Sequence, residues 1–113
     1  MANVPDNPTP GWAFLTNHGR VLVCVARDPG IRLREIGDCV GITERAAHRI
    51  VAELTSAGYI TRERSGRRNQ YTINSHLPLP DPIVSEQTIG ELLTILSGVP
   101  VADPAVDRGA GTS

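Results

Sequence analysis

A chain of 113 residues that is 40% hydrophobic but only 4% aromatic is expected to fold as one small domain around an aliphatic core. Its longest apolar run, six residues over 21–26, falls far short of the ~18–20 needed to span a membrane. The first residues show no basic and apolar signal-peptide regions, and two cysteines are too few for a disulfide framework or a four-cysteine zinc site, so a reduced, cytoplasmic protein is expected.

Residues 1–12 are rich in Asn, Pro and Gly and are expected to form a flexible arm. A first helix is expected over 17–27, where Val21, Leu22, Val25 and Ala26 recur at spacings of three and four. Asp28-Pro29-Gly30 stops it. A short second helix is expected over 33–40, with Leu33, Ile36 and Val40 facing inward. After a tight Gly41-Ile42 turn, Thr43 can cap a third helix over 44–57, because its hydroxyl accepts a free backbone N–H of the next turn. Ala47, Ile50, Val51 and Leu54 form that helix's inner face, and Gly58 ends it in the left-handed position.

The period then drops to two. Residues 59–64 and 69–73 alternate like strands around Ser65-Gly66-Arg67-Arg68, which predicts a β-hairpin. Residues 76–84 are a stiff, Pro-rich connector. Ser85 is expected to cap a last helix over 86–97, whose Ile89, Leu92, Leu93 and Leu96 make a narrow apolar stripe. Residues 99–113 hold few large apolar groups and are expected to be disordered.

The net charge of −1 hides an asymmetry. All eleven basic residues are Arg. Residues 20–72 hold ten of them against six acids, a net of +4, while residues 73–113 hold one against five, a net of −4. The near-neutral whole therefore does not argue against a polyanionic partner for the middle segment.

Helix, helix, Gly-Ile turn, capped helix, glycine, basic hairpin: this order resembles a winged helix-turn-helix. Gly41-Ile42-Thr43 opens a helix, Arg49 lies six residues after Thr43, and Leu54 is followed by Gly58-Tyr59-Ile60 leading into the hairpin. These features are similar to the MarR/ArsR group of bacterial transcription regulators, over residues 15–75. The resemblance implies an α+β, mostly helical fold, with a three-helix core and a hairpin wing over 13–75. It implies a further C-terminal helix over 85–98 that serves dimerisation.

A recognition helix shows polar and cationic side chains to the major groove while its other face holds the core. Here Glu44, Arg45, His48 and Arg49 are expected to face outward. Arg45, one turn from the helix start, is the leading candidate for a base contact. A guanidinium can bond guanine O6 and N7 together, for ~1–3 kcal/mol of discrimination. Ala46 and His48 are expected at the groove floor or edge, and Thr43 and Arg49 at phosphates. Glu44 suits the helix dipole and would contact DNA only by accepting from a cytosine amine. In the wing, Arg62, Arg64, Arg67, Arg68 and Asn69 are expected to face DNA, with a tip Arg in a narrow minor groove. Arg32 and Arg34 are expected to clamp phosphates.

His18, His48 and His76 are scattered along the chain, and the clustered Cys/His ligands of ArsR-type metal sensors are missing, so neither a metal nor another cofactor is expected. Cys24 is expected in the core and Cys39 beside a turn, with packing roles favoured over a redox role for Cys39. Glu53 can pair with Arg49 at i,i+4. No nucleophile elbow, phosphate loop or His-Glu-x-x-His motif occurs, so no catalytic residue and no enzyme activity are expected. Trp12, Phe14, Tyr59 and Tyr71 are expected near the core, which leaves no stacking platform for single-stranded RNA.

The expected function is that of a sequence-specific regulator of transcription, a repressor, binding double-stranded DNA as a homodimer on a pseudo-palindromic operator. Ile89, Leu92, Leu93 and Leu96, together with the first helix, are the expected dimer surface, although the stripe also suits packing on its own domain. No membrane partner is expected, and no residues for a small-molecule effector stand out. The alternative is a winged-helix module for protein–protein contact in the transcription machinery, with only weak, non-specific DNA binding.

Overall fold

Residues 11–101 are described by a computed structural model. The elements follow in the order α1 (Asn17–Arg27), α2 (Leu33–Val40), α3 (Glu44–Ser56), β1 (Ile60–Ser65), β2 (Arg68–Ile73), a 3-10 turn at Pro82–Val84, and α4 (Ile89–Ser97). The first three helices start where their caps dictate. Thr16 Oγ1 accepts from the Gly19 N–H at 3.2 Å, and the Glu35 carboxylate accepts from the Arg32 N–H at 2.9 Å. Thr43 Oγ1 accepts from the Ala46 N–H at 3.0 Å.

The core is aliphatic, and every α-helix and both strands contribute. Val21 and Val25 of α1, Ile36 of α2, Ile50 of α3, Ile60 of β1 and Leu93 of α4 are almost wholly buried. Burying such side chains is the main stabilising term, at ~1.5–3 kcal/mol each. Tyr71 is buried in this core and Tyr59 packs against it. Trp12 and Phe14 do not join it, contrary to expectation. They are 62% and 90% exposed and meet each other edge to face at 5.0 Å. Both precede the Thr16 cap, so they are off the helix whose inner face is already filled by Val21, Leu22 and Val25.

The helix-turn-helix depends on one close approach. A Cβ on Gly37 would stand 2.7 Å from the Ile42 carbonyl oxygen. Only glycine lets the turn after α2 fold back over it, and Gly41 makes the reversal at a φ of 86°. β1 and β2 then pair antiparallel, with Ile60 opposite Ile73, Arg62 opposite Tyr71 and Arg64 opposite Asn69. The loop between α1 and α2 runs along β2. The Tyr71 N–H donates to Pro29 O at 2.9 Å, and Arg68 Nη2 donates to Gly30 O at 3.1 Å.

The C-terminal part departs from the sequence reading. The last helix starts at Ile89, capped by Thr88, not at residue 86 capped by Ser85. Thr88-Ile89-Gly90-Glu91 is a full capping box, in which Thr88 and Glu91 satisfy each other's backbone N–H, and the residue three after Ser85 offers no such carboxylate. Ser85 instead closes the 3-10 turn that Pro82 opens. The connector is a clip and not a free spacer. The Leu79 N–H donates to Gln87 O at 3.0 Å, that of Ile89 to Leu77 O at 2.8 Å, and that of Gly90 to Ser75 O at 3.0 Å. Arg27 Nε donates to Ser97 O at 3.1 Å and ties the ends of α1 and α4 together. Residues 99–101 continue the fold, since the Val101 N–H donates to Thr94 Oγ1 at 3.0 Å and Val101 packs against the core. The remainder of the arm and tail expectations, 1–10 and 102–113, lies outside the described residues. No helix among the described residues is long and apolar enough to cross a membrane.

Candidate nucleic-acid interface

α3 is two-faced. Ala47, Ile50, Val51 and Leu54 are buried, while Glu44, Arg45, His48, Arg49 and Ala52 are exposed and Ala46 is half-buried. Thr43 Oγ1 accepts from the Ala46 N–H, and its hydroxyl proton remains able to donate to an anion.

Cationic side chains stand along this helix. Near its start, the starts of α2 and α3 and the wing line a polar cleft of about 380 Å³. Arg32, Arg34, Glu44, Arg67, Arg68 and Asn69 line it. Further along, Arg62 shares a groove with His48 and Ala52 of α3. Strand alternation explains the second placement: Arg62 and Arg64 continue the face of β1 that carries buried Ile60, beyond the reach of the core. Eleven side chains named from the sequence are thus exposed: Arg32, Arg34, Thr43, Glu44, Arg45, His48, Arg49, Arg62, Arg64, Arg67 and Arg68. Two of the wing arginines are less free than the sequence suggests. Arg68 is tied to Gly30 O, and Arg64 Nε donates to Gly66 O at 3.4 Å. Arg67, beside Gly66 at a φ of 63°, carries the tip.

The expected pair of Arg49 with Glu53 is present at 3.4 Å. Sequence reasoning missed its third member. His18 Nε2 lies 2.7 Å from Glu53 Oε1 and links α1 to the recognition helix across 35 positions of sequence, beyond any local pattern. The His18 hydrogen bond, aided by Arg49, holds the Glu53 carboxyl below the usual range. A charged Glu53 beside Arg49 leaves that guanidinium less available to a phosphate than Arg45.

The C-terminal stripe divides. Ile89 and Leu93 are buried in the chain's own core, which removes them from any surface, while Leu92 and Leu96 are half-buried. Ile95, between them in sequence, is 79% exposed. Among the described residues no three of His, Cys, Asp and Glu gather as a metal site.

Residues 15–68 match the model of the MarR family. This segment, just under half of the chain, is similar to the MarR family and folds as a winged helix. It runs from just before α1 to the start of β2, and it holds all of the candidate DNA contacts except Asn69. MarR family proteins are transcription regulators and not enzymes. A solved MarR family protein of Mycobacterium tuberculosis, in complex with salicylic acid, is similar over 87% of this chain at 22% identity, with a TM-score of 0.47. The chain spans 62% of that protein's length. No curated protein matches it.

Proposed function

We propose that this chain is a cytoplasmic regulator of transcription that binds double-stranded DNA as a homodimer and represses by occupying a promoter. One observation carries the reading. The exposed face of α3 presents Arg45, His48 and Arg49 beside two arginine-lined grooves, with Arg32, Arg34 and Arg67 near the helix start and Arg62 further along it. A helix of this kind fits a major groove with its N-terminal residues toward the base edges, while flanking guanidinium groups hold phosphates. Arg45 reads a guanine, the wing tip enters the neighbouring minor groove, and the hydroxyl of Thr43 donates to a phosphate. The large apolar side chains left outside the core, Phe14, Ile83 and Ile95 foremost, supply a surface for a second copy. Two-fold pairing sets two recognition helices about one helical turn apart and fixes a pseudo-palindromic site.

Binding to duplex DNA measured against salt concentration tests the interface. Each phosphate contact adds about −0.9 to the slope of log K against log salt. The double variant Arg34→Ala/Arg67→Ala is expected to flatten the slope by roughly two such contacts per subunit. A slope identical to wild type would show that these arginines do not touch DNA.

A further inference from the structure

Cys24 sits in the third turn of α1, buried, and Cys39 in the last turn of α2, exposed. Their Sγ atoms are 2.9 Å apart. Both are free thiols. The geometry points to a redox modification site: a dithiol that reduces a hydroperoxide and closes into an intrachain Cys24–Cys39 disulfide, pinning α1 to α2.

Distance separates this from the other uses of two thiols. A disulfide bond is ~2.05 Å long, so the sulfurs need to close by under about 1 Å, within reach of small side-chain rotations. A tetrahedral zinc ion, with Zn–S bonds of ~2.3 Å, would hold two thiolates roughly 3.8 Å apart. No third ligand stands by, as no metal-competent cluster occurs among the described residues. The contact is a direct one, in which the Cys24 thiol donates to the Cys39 sulfur.

The surroundings assign the roles. Cys39 opens to solvent along a groove of about 240 Å³ walled by Leu15, Val23, Val40 and Leu96, and Arg20 and Arg27 stand at its edge. Cys24 also lines this groove but is only 7% exposed, so a small peroxide meets the exposed Cys39 first. Burial pushes the Cys24 thiol up to about 12, and the hydrogen bond and charge of Cys39 add to this, against the opposing pull of Arg20 and Arg27. Cys24 is therefore unreactive toward bulk oxidant while its neighbour is reduced.

In the first step the Cys39 thiolate attacks one peroxide oxygen. An S–O bond forms, the O–O bond breaks, and the leaving alkoxide or hydroxide takes a proton. Cys39 is now a sulfenic acid. In the second step the Cys24 sulfur attacks the Cys39 sulfur. The S–S bond forms, the S–O bond breaks, and the hydroxyl leaves as water with the Cys24 proton. Two thiols and ROOH become one disulfide, ROH and H2O, with the sulfurs oxidised by two electrons and the O–O bond reduced. Cys39 lies two residues before Gly41, so the bond forms at the base of the turn that presents α3.

The test uses the full chain, reduced and then treated with equimolar hydrogen peroxide at neutral pH. After blocking with N-ethylmaleimide the intact mass is measured. The expected product is monomeric, has lost two hydrogens, takes up no maleimide, and returns to two reactive thiols with dithiothreitol. Trypsin then releases peptides 21–27 and 35–45 joined to each other. In Cys24→Ser the reaction stops at a sulfenic acid on Cys39, which dimedone traps. The peptide map is read on the wild-type protein, so the proposal stands or falls even where that variant does not fold. Two maleimides still added after peroxide, a disulfide between two chains, or Cys39 carried on to a sulfinic acid beside a free Cys24 would each overturn it.

Discussion

Gly37 governs how α3 is presented. Alanine there would place a methyl carbon 2.7 Å from the Ile42 backbone oxygen, too close for either side to yield without moving the turn. Gly37→Ala is expected to cost roughly 1–3 kcal/mol, the range for overpacking a tight contact, and to weaken DNA binding more than any alanine on the exposed face. Urea unfolding and a binding isotherm on the same preparation check this; wild-type values in both would show that the turn has slack. Glu53 gives a second test at this scale. Its folded-state pKa is depressed, chiefly by His18, so its contribution is present above the unfolded carboxylate value of ~4.3 and is lost as pH falls through the lower folded value. The urea midpoint of the wild type should drop more steeply between pH 5 and pH 3 than that of Glu53→Gln. Parallel curves would contradict the His18–Glu53 link. Neither contact was legible in the sequence. Gly37 lies unremarked inside a regular helical pattern, and His18, like the Cys24–Cys39 pair, meets a partner on another helix.

Elements were legible where their end signals agreed with their periodicity. α1 and α2 fall on the residues expected, and α3 ends one residue early, since Thr16, Thr43, Gly41 and Gly58 fix the boundaries that the aliphatic spacing suggests. α4 shows the limit of a single cue. Ser85 is a good cap in isolation, but Thr88 with Glu91 is a better one, and the helix begins there. That shift has a functional consequence. With Ile89 and Leu93 committed to the core, the face carrying Ile95 is the part of α4 that the proposed pairing can use. Ile95→Asp removes an exposed apolar contact and leaves the core untouched, so its thermal midpoint is expected to stay close to wild type while its mass in solution falls to that of a monomer. A dimer that survives this change would place the interface elsewhere, for instance on Trp12 and Phe14.

Across the whole molecule, charge and hydrophobicity are segregated. The basic segment folds into the winged helix, with most of its guanidinium groups on or beside α3, and the described part of the acidic stretch forms the clip and α4, which packs on α1. The +4 of the basic segment and the −4 of the acidic one cancel, and Asp6 leaves the overall charge at −1. The same segregation explains why composition alone is a poor guide here, since the near-neutral total hides the field that a polyanion meets. The aromatic residues mislead in a similar way. Trp12 and Phe14 are among the most hydrophobic side chains in the chain, but they lie before the first cap and stay outside an already filled aliphatic core.

The central claim is that this winged helix reads a DNA sequence as a pair. The most direct test is selection of the purified protein on random-sequence duplex DNA at ~150 mM salt, where non-specific electrostatic binding is weak, followed by the mass of the selected complex. Enrichment of an inverted repeat with half-site centres about one helical turn apart, bound by two chains, is the predicted result. Sequence-blind binding that disappears at this salt would contradict the claim and leave the fold as a surface for protein partners.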